Sequence, residues 1–141
     1  GADHVVDYRS EDFVDVVNDV TDGAGADVVY DSVGGDTFTR STKCIAWEGR
    51  ILVIGAAAGT YAEARTNHAM VKTYSIVGLN WGGYRTRRPE LVHEAHDQLV
   101  RLHAEGAVAP LVSEVLPLDA LPDALARLAG RATTGKVVLT P

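Results

Sequence analysis

The sequence of 141 residues is 46% hydrophobic and carries a formal net charge of −6 at pH 7, a balance typical of one globular unit with its own core. The acidity disfavours binding to nucleic acid, which needs a basic stripe, and no apolar run reaches the roughly 18 residues of a membrane span. The single cysteine, Cys44, excludes an internal disulfide and a multi-cysteine zinc site, so we expect a reduced, cytoplasmic setting.

The chain begins in the middle of a pattern, with "GADHVVDY" and no methionine. We interpret it as a piece of a longer protein; the alternative is a processed terminus. Residues 4–8 predict a short strand. Ser10 then predicts the N-cap of a helix, with Glu11 and Asp12 in the first turn, where the helix dipole favours acidic side chains.

Helices and strands alternate over the next 45 or so residues. Apolar residues at helical spacing predict a helix from about residue 13 to residue 20, ended by glycines. Residues 27–33 predict a strand, residues 34–49 predict a second helix, and "RILVIG" predicts a further, almost wholly apolar strand. This alternation indicates an α/β fold with a parallel sheet and right-handed crossovers. The first 55 residues therefore look like half of a doubly wound nucleotide-binding sheet.

The second part of the sequence predicts further elements without repeats or a linker. They are a loop and short helix over 60–73, a strand over 74–80, a turn-rich segment over 81–89, a helix over about 89–105, a strand over 112–118, a helix capped by Asp119, and a strand over 136–140.

Three loops leave the carboxyl ends of predicted strands, at residues 7–10, 31–37 and 55–59. Because ligands of open α/β sheets lie beyond these ends, we expect the loops to form one rim of a crevice. The dinucleotide fingerprint G-x-G-x-x-G between strand and helix is missing: "GAGAD" precedes a strand, and "GAAAG" leads into a weak helix start. Taken alone, each glycine pair is ordinary turn chemistry.

Other reactive residues form no catalytic pattern. Three histidines share the predicted long helix: His93, His96 and His103. The letters "HEAHD" lack the H-E-x-x-H spacing of a zinc protease, and neither Ser41 nor Cys44 occupies a nucleophile elbow. The basic run "RTRR" is most simply a solvated turn, with a phosphate contact as the alternative. We therefore predict no metal site and no acyl-transfer chemistry.

Five motifs occur in order, namely "GADHVVDYRSEDF", "GADVVYDSVGGDTF", "GRILVIGAAAG", "SIVGLNWGGY" and "RATTGKVVLTP". With them the chain resembles, over all 141 residues, the carboxyl-terminal part of the zinc-free quinone oxidoreductase branch of the medium-chain dehydrogenase/reductase superfamily. The resemblance implies the carboxyl-terminal portion of an NAD(P)-binding Rossmann domain, with the glycine-rich loop upstream of Gly1. Residues 132–141 would be the strand that returns to a GroES-like substrate domain missing from this sequence.

The resemblance also implies an NADPH site. Tyr8 and Arg131 match contacts of the 2′-phosphate, and a guanidinium suits that role because its planar fork pairs with phosphate oxygens. The positions that match the ribose and nicotinamide side are Val33, Thr37, Ile54, Gly55, Ala56, Ala57, Leu79, Asn80 and Trp81. Catalytic residues are not identified and are expected upstream. In the family, the strand at about 75–81 pairs with its own copy across a homodimer.

The function implied by the resemblance is NADPH-dependent transfer of hydride to a conjugated carbonyl, either a quinone or an enone. The implied partners are this small-molecule substrate and a second copy of the chain, with no nucleic acid and no membrane. Two alternatives stay open: an enoyl-thioester reductase of the same superfamily, and a non-catalytic domain that binds NADPH or dimerises. The zinc-binding alcohol dehydrogenase branch is disfavoured by the likeness to the zinc-free branch.

Overall fold

In the computed structural model, which describes residues 1–141, the chain forms two compact units, Gly1–Gly83 and Tyr84–Pro141. All strand pairs in both units are parallel, which confirms the predicted α/β class and parallel pairing. No helix of the chain is both long enough and apolar enough to cross a membrane.

The first unit carries a three-stranded sheet in the order β1-β2-β3. Its elements are α1 (Phe13–Val20), β1 (Ala26–Asp31), α2 (Gly35–Ser41), β2 (Ile45–Val53), α3 (Thr66–Lys72) and β3 (Ser75–Gly78), followed by α4 (Trp81–Arg87) at the boundary of the units. The strand register aligns Val29, Ile51 and Ile76, so these side chains share one face of the sheet. That face packs on a core that includes Phe38 and Tyr74.

The second unit carries a two-stranded parallel sheet. Its elements are α5 (Pro89–Ala104), β4 (Val112–Pro117), a 3-10 turn (Leu118–Ala120), α6 (Leu121–Ala129) and β5 (Lys136–Thr140). The limits of β5 agree with the sequence prediction. Asp119 does not cap α6 as predicted, because it lies within the 3-10 turn and Ala120 holds the N-cap position.

Two predictions for the amino-terminal segment are wrong. Residues 4–8 form no strand, and Val5 is 83% exposed, since the segment pairs with none of the strands that would supply its hydrogen bonds. Helix α1 is capped by Asp12 rather than Ser10, because Oδ1 of Asp12 accepts the N–H of Val14 at 2.9 Å. The loop at residues 7–10 therefore does not leave the end of a strand.

The predicted limits of the second helix and the third strand also differ from the structure. Helix α2 ends at Ser41, and β2 begins at Ile45, where it pairs with Ala26. Nζ of Lys72 donates to the carbonyl oxygens of Thr42 and Lys43, in the turn between α2 and β2. Strand pairing has overridden the helical propensity of the following residues.

The segment after β3 was predicted to be turn-rich and is helical instead. Oδ1 of Asn80 accepts the N–H of Gly83 at 3.1 Å, which is the bond of an N-cap, and the N–H of Arg88 reaches the carbonyl of Tyr84 at 2.9 Å. This cap opposes the cost of Gly82 and Gly83 in the first turn.

An ion pair joins the amino end of α1 to α2. Nη2 of Arg40 lies 2.6 Å from Oδ1 of Asp12, and its guanidinium carbon lies 4.7 Å from the centre of the Phe13 ring. The N–H of Val14 and, after it, the Arg40 guanidinium hold the pKa of Asp12 below its usual value. Asp12 is thus a stronger acid in the folded protein.

We therefore expect acid to weaken the first unit partly through Asp12. Its contribution is complete above the unfolded pKa, about 4, and is lost as pH falls through the lower folded pKa. In thermal unfolding scans between pH 5 and pH 2, Asp12→Asn should flatten the dependence of stability on pH, and Arg40→Gln should give an intermediate slope. Identical slopes in wild type and Asp12→Asn would contradict this role.

Candidate functional site

The carboxyl edge of the three-stranded sheet carries two loops that are hydrogen bonded to each other. We call residues 32–34 the β1–α2 loop and residues 54–65 the β2–α3 loop. The N–H of Ile54 donates to the carbonyl oxygen of Asp31 at 2.8 Å. Two further backbone bonds join the loops, from Ala57 to the carbonyl of Ser32 at 3.1 Å and from Ala58 to the carbonyl of Val33 at 3.0 Å. The structure therefore brings together Val33 and residues 54–57, which the family resemblance assigns to the cofactor site.

Two glycines let these loops approach closely. Gly34 has φ 74° and ψ −160°, and a Cβ atom there would lie 2.9 Å from the carbonyl oxygen of Thr60. A Cβ atom at Gly55 would lie 3.0 Å from the carbonyl oxygen of Ser32. At both positions the missing side chain makes room for the backbone of the other loop, so the glycines shape the site through loop packing.

Asp31 sits at the junction of the loops, and the sequence analysis did not single it out. Its residue is 3% exposed, and Oδ1 accepts the N–H groups of Val33 and Gly34, each at 2.9 Å. Oδ2 is buried without a hydrogen-bond partner. The available signal was an aspartate between an apolar strand and a Gly-Gly turn, where the side chain commonly bonds the backbone two residues on.

The β2–α3 loop fits a flat ligand that carries a hydrogen-bond acceptor. Ala56 and Ala57 are small, and within residues 54–59 the N–H of Ala56 alone donates to no group of the chain. A backbone donor beside small side chains is what a planar ring with a carboxamide group needs. The residues present are therefore compatible with the nicotinamide side of a dinucleotide.

The segment after β3 reaches the same edge. The N–H of Leu79 donates to the carbonyl oxygen of Val53 at 3.1 Å, next to Ile54. Asn80 serves as the cap of α4, and Trp81 begins that helix. Leu79 is thus joined to the other candidate residues of the first unit, and Asn80 has a structural role in addition to its predicted one.

Three further candidate residues lie elsewhere. Tyr8, which is 61% exposed, occupies a turn before α1. Thr37, in the first turn of α2, lines a cleft with Phe13 of α1 and Val28 of β1. Arg131 lies in the second unit, between α6 and β5, with a left-handed backbone at φ 54°. Their predicted cofactor contacts stay predictions.

Two of the histidines, His68 and His103, make local hydrogen bonds, and Cys44 is buried. His103 donates through Nδ1 to the carbonyl of Val108 at 2.9 Å, and Nδ1 of His68 lies 3.2 Å from Oη of Tyr74. Burial raises the pKa of the Cys44 thiol and of the Tyr74 hydroxyl. No three or more histidine, cysteine or acidic side chains come together as they would around a metal ion.

The comparisons of this chain with known proteins agree on one family. The family model described as zinc-binding dehydrogenase matches residues 1–139. The quinone oxidoreductase-like protein 2 homolog of Nematostella vectensis is 38% identical over 140 residues, which are 99% of this chain and 38% of that protein. The 2-haloacrylate reductase of a Burkholderia species is 31% identical over 144 residues, covering 100% of this chain and 43% of that protein.

A solved structure shows the same fold. The crystal structure of Escherichia coli quinone oxidoreductase complexed with NADPH matches with a TM-score of 0.87 at 34% identity, covering 100% of this chain and 44% of that chain. Although the family description names zinc, this chain's own residues do not fit a zinc ion, because they supply no group of three ligands.

The chain spans about two fifths of the length of the relatives that it matches. Within that span the match is nearly complete, since the family model leaves out only the last two residues. The chain belongs to the zinc-binding dehydrogenase family, in the quinone oxidoreductase branch of the medium-chain dehydrogenase/reductase superfamily.

Proposed function

We propose that this chain forms the cofactor-binding part of an NADPH-dependent oxidoreductase that reduces a conjugated carbonyl, a quinone or an enone. The observation that carries the proposal is the pair of hydrogen-bonded loops at the carboxyl edge of the sheet, where α/β folds bind their ligands. The Escherichia coli relative that shares this fold was solved with NADPH. Because the chain spans about two fifths of its relatives, the activity belongs to the complete protein.

The cofactor and the protein have separate roles in the proposed reaction. The cofactor supplies the hydride, and the protein supplies position and exclusion of water. Ala56 and Ala57 leave space for a flat ring, while the N–H of Ala56 orients its carboxamide. Arg131 and Tyr8 hold the 2′-phosphate. The names of two relatives, a quinone oxidoreductase-like protein and a 2-haloacrylate reductase, support an acceptor whose double bond is conjugated to an electron-withdrawing group.

An acceptor screen tests the proposal. The complete protein is given NADPH together with a quinone, an enone or an enoyl thioester, and loss of the reduced cofactor is followed by absorbance. Turnover of the quinone or the enone supports the proposal. Turnover of the thioester alone would favour an enoyl-thioester reductase, and NADPH binding without turnover would favour a non-catalytic domain.

We propose in addition that residues 1–141 are the carboxyl-terminal part of the cofactor domain, with residues 132–141 leading to a GroES-like domain. The greater length of the matched relatives supports this assignment. We also propose a homodimer through residues 75–81. It is supported by the place of β3 at the edge of its sheet, where β2 covers one side only and where a strand is open to pairing with another copy.

Arg131 provides a direct test of cofactor choice. In the complete protein, Arg131→Ala should weaken NADPH binding by about 1–3 kcal/mol, the loss expected for a hydrogen bond to a charged group. NADH binding should barely change, since NADH lacks the 2′-phosphate. Alanine also carries a Cβ atom, so the left-handed backbone strain at this position is the same in both proteins.

Isothermal titration with both cofactors measures the difference. Arg101→Ala is the matched control, because it removes an exposed positive charge from the same unit. It should leave both affinities unchanged. Equal losses of NADPH and NADH affinity in Arg131→Ala would rule out the assigned phosphate contact.

A further inference from the structure

Asp31 links the two loops of the candidate site through two different groups. Its backbone oxygen accepts the N–H of Ile54 at 2.8 Å, at the start of the β2–α3 loop. Oδ1 of its side chain accepts the N–H groups of Val33 and Gly34 in the β1–α2 loop. One residue therefore sets the position of both loops relative to the end of β1.

No cationic group of the chain forms an ion pair with the same side chain. An aspartate in its ionised form offers only acceptors, which suits the two N–H groups that Oδ1 accepts. Oδ2 is buried and has no partner, and no salt bridge of the structure includes Asp31. Burying a carboxylate without a partner cation costs free energy. Carboxylates in such surroundings are therefore concentrated at functional sites, where their charge acts on a ligand.

A use follows from the chemistry proposed for the neighbouring loops. Transfer of hydride removes two electrons and one proton from the reduced nicotinamide and leaves its ring with a positive charge. A negative charge held in protein of low dielectric constant attracts that cation, whereas it acts little on the neutral reduced ring. Val33, matched to the ribose and nicotinamide side, and Ile54 and Gly55, matched to the nicotinamide side, are hydrogen bonded directly to Asp31.

We infer that Asp31 positions the two loops and that its buried charge makes the site favour the oxidised, cationic nicotinamide over the reduced one; this inference rests on the proposed function. Asp31 is a positioning residue, because it acts through the loops and through its field. Its effect is to raise the affinity for NADP⁺ relative to that for NADPH.

The test compares the two affinities in charge-altered variants of the complete protein. Asp31→Asn keeps an oxygen that accepts the two loop N–H groups but removes the charge. It should weaken NADP⁺ binding roughly fivefold relative to NADPH binding, the effect of one unit charge on another about 17 Å away at an effective dielectric constant of about 20, and by more at a shorter separation. Asp27→Asn, at the exposed amino end of β1, is the matched control and should leave the ratio unchanged.

Asp31→Ala separates position from charge, since it also removes the acceptor of the loop N–H groups. It should weaken both cofactor forms by roughly a further tenfold, because a loop that Asp31 no longer holds must be ordered when the cofactor binds. Thermal unfolding of each variant, measured in parallel, shows whether the fold is retained. If Asp31→Asn does not fold, Ser32→Asp adds an exposed charge next to Asp31 and should shift the ratio the opposite way.

The outcomes are distinct. A lower ratio of NADP⁺ to NADPH affinity in Asp31→Asn and Asp31→Ala, with the ratio unchanged in Asp27→Asn, supports the inference. Equal weakening of both forms, or an unchanged ratio, overturns it while the proposed function stands. An unchanged ratio in Ser32→Asp overturns it in the same way. If the wild-type protein binds neither form, the proposed function has failed, and the inference falls with it.

Discussion

Replacing Phe38 by alanine should lower the free energy of unfolding of the first unit by about 3–5 kcal/mol, the usual loss when a buried phenylalanine is truncated. Phe38 is 1% exposed and packs with Ile45, Ile51 and Tyr74 in the core beneath the sheet. Truncation would leave a cavity between α2 and the sheet. Helix α2 also follows the β1–α2 loop, so the site would lose support.

Calorimetric unfolding of the protein measures this effect, with Tyr61→Ala as the control. Tyr61 is an aromatic residue of the same unit but is 87% exposed, so its truncation should change stability by about 0.5 kcal/mol or less. A loss below about 1 kcal/mol in Phe38→Ala would mean that this cluster is not the core of the unit.

Gly34→Ala should damage the site itself. The backbone of Gly34, at φ 74° and ψ −160°, lies in a region open essentially to glycine alone, and strain of this kind costs about 1–3 kcal/mol. The new Cβ atom would also meet the carbonyl oxygen of Thr60 at 2.9 Å and that of Gly55 at 3.3 Å. Backbone atoms cannot rotate away, so the β2–α3 loop must move, and NADPH affinity should fall roughly tenfold or more.

Gly59→Ala is the control that separates the effect of the Cβ contact with Thr60 from the effect of backbone strain. Gly59 also has a positive φ, 81°, but no atom lies within 4 Å of its Cβ position. This variant should lose stability through strain while NADPH affinity changes little, as measured by thermal unfolding and by titration. Equal losses of affinity in the two variants would show that the contact between Gly34 and Thr60 does not shape the site.

Local sequence signals predicted several elements well. Helix α5 ends within one residue of its expected limit, because Gly106 supplies the left-handed residue that stops a helix. Strand β5 matches its predicted limits. The order of motifs also identified the family before any geometry was known, since motif spacing is preserved in the sequence itself.

Other features depended on contacts between distant residues. Residues 4–8 have the composition of a strand but no strand to pair with. Residues 45–48 were expected in a helix, yet they extend β2 because Ala26 pairs with Ile45. Residues 81–89 have the composition of a turn, yet a helix begins there because Asn80 caps its amino end. In the last two cases a tertiary or capping bond outweighed a local preference of about 1 kcal/mol or less, whereas in the first no pairing bond supported the local preference.

The candidate site, like the fold, could be predicted only in part from the sequence. By itself the sequence determined the α/β class, the family and two of the three loops expected at the ends of strands, because apolar periodicity and motif order are local properties. Only the tertiary structure decided that Asp31 joins two loops, that Gly34 faces Thr60, and that Oδ2 of Asp31 is buried without a partner. Those features arise where segments more than 20 residues apart in sequence come into contact. A local sequence pattern does not predict a contact between such distant segments.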